Sequence, residues 1–308
     1  MRTRIKDIYI MKKAVVLIAS LLISTFAFPV NAADNTKSIA IIDYTFDTSR
    51  PEINGKILAD VCLSITRVCT NMPTNILYSN DTAAHGTIMA TVATQVNPNI
   101  KFVVIRVGNI NSKTFTLSSM TPMEFDNVLI PALDWVSKNA SKFNIVAVST
   151  SMSHTSFNKS DPYCPIKKSA TYGVTLQDKI VALQSIGIAS MFSAGNTYDE
   201  YRASYPACNP QAIAVGATEL TEPTGINPVS LKSAKGLDVD LYVLGTYTLS
   251  FTRMTGQTSP ATVAFATYWA KQYVTNYNDT MTKISLSLKP AYFATTKTSL
   301  NKFIDVLN

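Results

Sequence analysis

The chain has 308 residues, of which 46% are hydrophobic and 15% charged, with 11 glycines and 14 prolines. This composition supports a full hydrophobic core and excludes a disordered chain, a collagen-like repeat and a small disulfide-rich scaffold. The formal net charge is +7, but residues 1–32 contain five of the 27 basic side chains and one of the 20 acidic ones, which leaves +3 over the rest. Nucleic-acid binding needs a concentrated basic face, so we expect no nucleic-acid partner.

The first predicted element is an amino-terminal leader. A basic start precedes a mostly apolar, uncharged run over residues 14–28, and small residues follow up to Ala32. This order is typical of a secretory signal peptide that is cleaved after Ala32. A membrane anchor is the alternative, but the run is shorter than the ~20 residues that a spanning helix needs. We therefore predict a cleaved signal over 1–32, no stable membrane anchor, and a secreted or periplasmic domain over 33–308.

Beyond the leader, two kinds of segment alternate, without an internal repeat or linker. Short, β-branched apolar runs predict strands buried on both faces, and longer runs with helical spacing predict helices. The predicted strands are Ser38–Ile42, Phe102–Val107, Ile145–Ser149, Ile186–Phe192 and Ala212–Val215. The predicted helices are Gly86–Val96, Met123–Lys138, Leu176–Ser185 and Ser259–Thr275. This alternation predicts an α/β fold of three layers, a mostly parallel twisted sheet with helices on both faces.

Four polar residues stand where functional side chains of such folds collect, at strand ends or helix starts. They are Asp43, His85, Asn196 and Ser259. Each alone has an ordinary structural explanation, since an Asp after a strand is commonly a turn residue and a Ser before a helix is commonly its N-cap. Taken together, the order Asp, His, Ser is one of the chain orders in which a serine-nucleophile triad occurs.

The sequence around these residues resembles the subtilase family of serine peptidases over nearly the whole mature chain. Residues 43–53 are similar to the family's D-T-G-V-D-T-S-H-P-D-L stretch, and residues 85–90 to its H-G-T-x-x-A. Residues 193–196 resemble S-A-G-N, and residues 205–217 resemble the segments Y-P-A and I-A-V-G-A. Residues 258–262 resemble T-S-M-A-T around the nucleophile. Five motifs in one order make the resemblance specific, and it implies a subtilisin-like fold.

The resemblance implies a secreted serine endopeptidase that works through an acyl-enzyme intermediate. It makes Ser259 the nucleophile, His85 the base that takes the serine proton, and Asp43 the group that orients the imidazole. It also implies that the Asn196 amide and the backbone N–H of Ser259 donate to the oxyanion. The expected partner is a peptide or protein substrate, and we expect a monomer.

Two short segments are implied to hold the substrate in an extended form. They are Ser151, Met152, Ser153, and Ser193, Ala194, Gly195. The first resembles the family's V-x-N-M-S-L-G, which pairs with the peptide backbone, and the second would form one wall of the specificity pocket. Neither contains an acidic residue, so we expect a bulky apolar or neutral side chain before the cleaved bond.

The four cysteines become interpretable if the protein is exported, because oxidising compartments favour disulfides. Three pairings are possible, and we favour Cys62 with Cys69 and Cys164 with Cys208. A metal site is less favoured, because the spacing lacks paired C-x-x-C elements.

No cofactor is expected to be required. Calcium is a candidate structural ion, because members of the family often bind it. Asp34, Asp47 and Asp60 could be ligands, but no ordered loop of oxygen ligands is readable.

Several positions depart from the family pattern. Thr45 stands where the family has glycine two residues after the Asp, and the residue between them is the large Tyr44. The nucleophile loop, residues 256–259, is one residue longer than the family's G-T-S, and Pro260 follows the serine. These departures motivate an alternative function, a catalytically inactive subtilase fold that acts as a binding or interaction protein. An esterase or lipase is not favoured, since no G-x-S-x-G motif occurs.

Overall fold

The computed structural model describes residues 36–64, 84–108, 122–153, 164, 168–198, 202–219, 227–293 and 298–307. The predicted signal peptide and its cleavage site lie outside these ranges. Within them, none of the helices combines the length and the apolar character that crossing a membrane requires.

Strands and helices alternate along most of the described chain. The strands are β1 (Ser38–Asp43), β2 (Ile57–Ser64), β3 (Lys101–Gly108), β4 (Ile145–Thr150), β5 (Ala189–Ser193), β6 (Ile213–Thr218), β7 (Asn227–Pro228), β8 (Leu241–Leu244), β9 (Tyr247–Thr248), β10 (Arg253–Met254), β11 (Lys289–Phe293) and β12 (Thr298–Ile304). The helices are α1 (His85–Val96), α2 (Pro122–Phe143), α3 (Leu176–Ser185), α4 (Thr258–Gln272) and α5 (Tyr277–Ser285).

Ten of these strands form one sheet in the order β2-β3-β1-β4-β5-β6-β8-β12-β11-β7, and β9 and β10 form a separate hairpin. Every neighbouring pair in the large sheet is parallel except β11 with β12. β1 lies between β3 and β4, with Asp43 level with Arg106 and Ile42 level with Thr150. Since parallel strands end at one edge of a sheet, the predicted functional residues share that edge.

Each face of the sheet carries its own hydrophobic core. Alternate side chains of β1 point to opposite faces, so Ile41 packs under α1 and α4 while Ile42 packs under α2 and α3. All the residues of β1, β4, β5 and β6 are buried, as expected of central strands covered on both sides. The predicted three-layer α/β fold is confirmed.

Helix α4 is the most deeply enclosed helix among those described. Every residue from Thr258 to Ala270 is buried, and the helix packs against α1 and β4. Small side chains such as Ala261 and Ala264, both with no exposed surface, let the neighbouring elements approach closely. The helix therefore holds its first turn at a fixed place on the sheet edge.

The boundaries of three predicted elements are wrong. The helix predicted over Met123–Lys138 continues to Phe143. Residues 186–188 are predicted in a strand, but Ile186 is the C-cap of α3 and Gly187 has a φ of +88°, in the left-handed region that favours glycine. The helix predicted to reach Thr275 ends at Gln272. Strands β11 and β12 and helix α5 were not predicted, although β12 joins the sheet beside β8.

Candidate active site

Asp43 is the last residue of β1 and its side chain has no exposed surface. Its Oδ1 accepts a hydrogen bond from the backbone N–H of Tyr44 at 2.8 Å, and its Oδ2 lies 2.7 Å from Nδ1 of His85. A buried carboxylate needs partners of this kind. Because a carboxylate accepts, Nδ1 of neutral His85 carries the ring hydrogen and Nε2 is the acceptor nitrogen.

Helix α1 begins at His85, and its first turn is fastened to the loop that follows β1. The backbone N–H of Gly86 donates to the Thr45 carbonyl at 3.0 Å, and Thr87 Oγ1 accepts the backbone N–H of Asp47 at 2.6 Å. A Cβ atom on Gly86 would lie 2.5 Å from the Thr45 carbonyl oxygen, so only glycine permits this approach. The His85 side chain, 14% exposed, is thereby held against the end of β1.

Ser259 is the second residue of α4 and is 6% exposed. Its carbonyl oxygen accepts a hydrogen bond from Ser151 Oγ at 3.4 Å, which places it beside the end of β4. Pro260 lies in the first turn, where a missing backbone N–H breaks no helical hydrogen bond. The serine therefore stands at the positive end of the helix dipole, at the same sheet edge as Asp43.

The longer loop before Ser259 is held by backbone contacts. Gly256 has a φ of +59°, and its N–H donates to Thr246 Oγ1 at 2.9 Å. The N–H of Gln257 donates to the carbonyl of Gly245 at 3.0 Å. The loop therefore has a defined conformation despite its extra residue, and glycine fits the left-handed position within it.

The hairpin of β9 and β10 is joined to the segment that follows Asp43. Ser250 Oγ donates to Glu52 Oε1 at 2.9 Å, and the guanidinium carbon of Arg50 lies 4.1 Å from the centre of the Phe251 ring. This second contact is a cation–π interaction. The two chain segments that carry the carboxylate and the serine are thus connected outside the site as well.

Asn196 follows β5 and has an exposed side chain. Its Oδ1 accepts hydrogen bonds from the backbone N–H of Thr258 at 2.9 Å and from the Thr258 hydroxyl at 3.1 Å. A backbone N–H can only donate, so the oxygen of the amide must face Thr258. The Nδ2 group is therefore not the atom of this amide that contacts Thr258.

The two predicted substrate segments leave the neighbouring strands β4 and β5. Ser151 and Ser153 are partly exposed, but Met152 has no exposed surface and packs in the hydrophobic core, so within this segment the two serines are the residues open to a peptide. The side chains of Ser193 and Ala194 are also buried. Gly195 has a φ of +105°.

Hydrogen bonds also hold the second of these segments. The backbone N–H of Ser204 donates to the Ala194 carbonyl at 2.7 Å, and that of Ala234 donates to the Gly195 carbonyl at 2.9 Å. The Ala194 N–H in turn donates to the Val215 carbonyl at 2.9 Å. The segment is a rigid part of the sheet edge.

Two contacts in the site were not predicted from the sequence. One is the pair of hydrogen bonds between Thr258 and Asn196. The other is a stack of the Tyr44 ring on the His85 imidazole, with the ring centres 5.5 Å apart and the planes 23° apart. The unusual size of Tyr44 at its position was the sequence signal for the second contact, whereas nothing in the sequence singled out the first.

The predicted pairing of Cys164 with Cys208 is present, with an S–S distance of 2.07 Å. The predicted pairing of Cys62 with Cys69 involves Cys69, which lies outside the described residues.

Two of the carboxylates considered as calcium ligands bind different protein groups. Asp47 Oδ1 accepts the hydroxyl of Ser49 at 2.6 Å, and Asp60 forms an ion pair with Arg106. The third candidate, Asp34, is not among the described residues. Over the part of the chain that the structure covers, no three His, Cys, Asp or Glu side chains are grouped as metal ligands, and calcium binding that involves Asp34 stays a prediction.

A mostly parallel sheet with a buried Asp–His pair beside a helix whose first turn carries a serine is the arrangement of a subtilisin-like serine peptidase. The model of the subtilase family matches residues 34–283, and the chain belongs to this family. No curated protein matches the chain.

Solved structures of similar fold are proteases of several kinds. One is described as a cold adapted subtilisin-like serine proteinase, with 21% identity and a TM-score of 0.58 over 90% of this chain and 91% of that one. A lanthipeptide protease has 12% identity and a TM-score of 0.60 over 88% and 86%. The prenylagaramide maturation protease PagA has 15% identity and a TM-score of 0.57 over 89% and 92%. At these identities the likeness supports the fold.

Proposed function

We propose that this chain is a secreted serine endopeptidase with the triad Asp43, His85 and Ser259. The observation that carries the proposal is the 2.7 Å contact between His85 Nδ1 and the fully buried carboxylate of Asp43. It occurs at the sheet edge where the first turn of α4 carries the serine. A structural histidine would not require a buried carboxylate, a closely packed glycine and a helix-start serine in one place.

The proposed reaction begins with His85 Nε2 accepting the proton of Ser259 Oγ while this oxygen attacks the scissile carbonyl carbon. The negative charge of Asp43 stabilises the imidazolium that forms. The oxyanion of the tetrahedral intermediate accepts hydrogen bonds from Asn196 Nδ2 and from the backbone N–H of Ser259, at the positive end of α4. Four residues of this chain therefore have defined roles in the first step.

Collapse of the intermediate breaks the C–N bond, and the imidazolium gives its proton to the departing amine. The acyl group remains on Ser259 Oγ as an ester. Water then attacks the ester carbonyl while His85 again accepts a proton, and the serine hydroxyl is restored when the proton returns to Oγ. The balanced reaction is the hydrolysis of one peptide bond.

Export and substrate binding complete the proposal. The Cys164–Cys208 disulfide is typical of a protein that matures in an oxidising compartment, which agrees with the leader sequence. The backbone of residues 151–153 would pair with an extended peptide, and residues 193–195 would line the pocket for the side chain before the cleaved bond.

The proposal is tested by treating the purified mature protein with a fluorophosphonate probe, which labels activated serines. The wild-type protein should be labelled at Ser259 and Ser259→Ala should not. Ser185→Ala, on the exposed end of α3, is the matched control and should be labelled like the wild type. Absence of labelling, or labelling that persists in Ser259→Ala, would reject the proposed enzymatic activity. It would favour a binding protein with a subtilase fold. Turnover of casein against a simple ester then separates a peptidase from an esterase.

A further inference from the structure

We propose that Tyr44 is a positioning residue that holds the Asp43–His85 pair from two sides, an inference that rests on the proposed function. Tyr44 follows Asp43 directly, and the family pattern around the catalytic Asp does not predict an aromatic side chain there. The residue contacts both members of the pair, one through its backbone and the other through its ring.

The backbone contact fixes the carboxylate. The N–H of Tyr44 donates to Asp43 Oδ1 at 2.8 Å, while Oδ2 of the same carboxylate is 2.7 Å from His85 Nδ1. With one oxygen bound to the main chain, the carboxylate cannot rotate without breaking one of the two hydrogen bonds. The plane of the carboxylate, and hence the direction in which it holds the imidazole, is set by Tyr44.

The ring contact fixes the imidazole. The Tyr44 ring is 5.5 Å from the His85 ring between centres, with an angle of 23° between planes, which is within the range of offset-stacked aromatic pairs. Tyr44 is 6% exposed and belongs to the same hydrophobic core as Ile42 and Val103. Because its own ring is enclosed, it restrains His85, whose side chain is only 14% exposed.

The stack also affects the charge that His85 takes up. When His85 accepts the proton of Ser259, a positive charge forms next to the π face of Tyr44, and such a face attracts cations. An aliphatic side chain of similar size could fill the space but would not supply this interaction. We therefore assign the effect of Tyr44 on His85 to its aromatic ring and not to its hydroxyl.

Three variants separate the ring from the volume it occupies. Tyr44→Leu should lower kcat for a peptide substrate about ten- to a hundredfold with little change in KM, since small displacements of a catalytic group have effects of this size. Tyr44→Phe keeps the ring and should stay within about threefold of the wild type. Phe143→Leu is the matched control, because it removes a stack of similar geometry, on Trp135 at 5.8 Å and 18°, at the other end of the sheet.

A second measurement does not need turnover. The chain has two histidines, so the ring protons of His85 can be assigned by NMR after the signals of His154 are removed with His154→Gln. The ring current of Tyr44 should displace the His85 signals in the wild type and in Tyr44→Phe, and the displacement should be lost in Tyr44→Leu while the protein remains folded.

The two readouts separate failure of this inference from failure of the proposed function. If Ser259→Ala is as active as the wild type, the proposed function is wrong, and the NMR displacement alone decides the role of Tyr44. The inference is overturned if Tyr44→Leu keeps full kcat, if Tyr44→Phe is as impaired as Tyr44→Leu, or if the His85 signals do not move.

Discussion

The side-chain oxygen of Asn196 is bound twice by Thr258, through its backbone N–H at 2.9 Å and its hydroxyl at 3.1 Å. The two residues are 62 positions apart in the chain, and Thr258 directly precedes Ser259. This contact turns the amide so that its N–H groups face away from Thr258. The two proposed donors to the oxyanion, on Asn196 and on Ser259, are therefore built on one hydrogen-bonded unit.

Replacing Asn196 should lower the rate without weakening substrate binding. Asn196→Ala and Asn196→Asp should each reduce kcat about 10²–10³-fold, because removal of one oxyanion donor has this effect in serine peptidases. The change is measured by steady-state kinetics on a peptide substrate, with KM expected to remain within about threefold. The aspartate variant still accepts from Thr258, so it removes the donor while it keeps the contact.

Thr258→Ala is the control for this prediction. It removes the hydroxyl but keeps the backbone N–H that orients Asn196, so kcat should fall less than about tenfold. A loss in Thr258→Ala as large as that in Asn196→Ala would contradict the view that the backbone contact sets the amide.

Most of the central sheet could be predicted because its strands carry local signals. β1 and β4 are short, apolar and buried on both faces, so composition alone identifies them. β12 carries no such signal, since its sequence mixes Thr, Ser, Asn and Lys with few apolar residues. Its place is determined by pairing with β8, which is distant in sequence, and with β11, which precedes it in the chain.

The same distinction between local signals and long-range contacts applies to the candidate active site. The positions of Asp43, His85 and Asn196 followed from strand ends and helix starts, which depend on local sequence. The contacts of Thr258 with Asn196 and of Tyr44 with His85 depend on side-chain conformations and on the approach of distant segments. No pattern of spacing contains this information, so they could be found only in three dimensions.

Two constraints favour glycine at position 195, the backbone conformation and the space available for a Cβ atom, and mutation can separate them. Its φ is +105°, and a Cβ atom would lie 2.1 Å from Ser204 Oγ. Gly55 has a φ of +76° but open space around it. Gly55→Ala should therefore cost about 1–2 kcal/mol from backbone strain alone, and Gly195→Ala about 3 kcal/mol or more. Urea unfolding measures both.

A double variant separates the cost of backbone strain at position 195 from the cost of the steric contact with Ser204. In a Ser204→Gly background the side chain that obstructs the Cβ is gone, so Gly195→Ala should cost about 1–2 kcal/mol, as at Gly55. If the cost of Gly195→Ala is unchanged by Ser204→Gly, the steric contact has no part in it.

The disulfide between Cys164 and Cys208 should contribute to stability by restricting the unfolded chain. The cysteines are 44 positions apart, for which the loop-entropy model gives about 4 kcal/mol. Cys164→Ser, Cys208→Ser and the double variant should each lower the free energy of unfolding by about this amount, since any one of them opens the loop. If the double variant unfolds at the same urea concentration as the wild type, the disulfide does not stabilise the fold.

Asp126, on α2, is a buried acid whose protonation should affect stability near neutral pH. It is 4% exposed and accepts a hydrogen bond from the hydroxyl of Tyr205, the residue that follows Ser204 in the chain. Burial raises the pKa of Asp126 from 3.8 to about 6, in spite of that hydrogen bond. The folded protein therefore binds a proton at Asp126 more tightly than the unfolded chain does.

The sign of the pH effect follows from this raised pKa. The contribution of Asp126 to stability is fully present below about pH 4 and is lost as the pH rises through about 6. Asp126→Asn still accepts from Tyr205 but carries no charge, so it should be more stable than the wild type above pH 7 by about 1–2 kcal/mol, with an advantage that declines between pH 6 and 4. The measurement is the difference in unfolding free energy between variant and wild type at each pH. Asp134→Asn on the same helix, where Asp134 pairs with Lys179 at 2.6 Å, is the control and should show the same difference at pH 5 and pH 8. A constant difference for Asp126→Asn across that range would mean that the buried carboxylate does not titrate there.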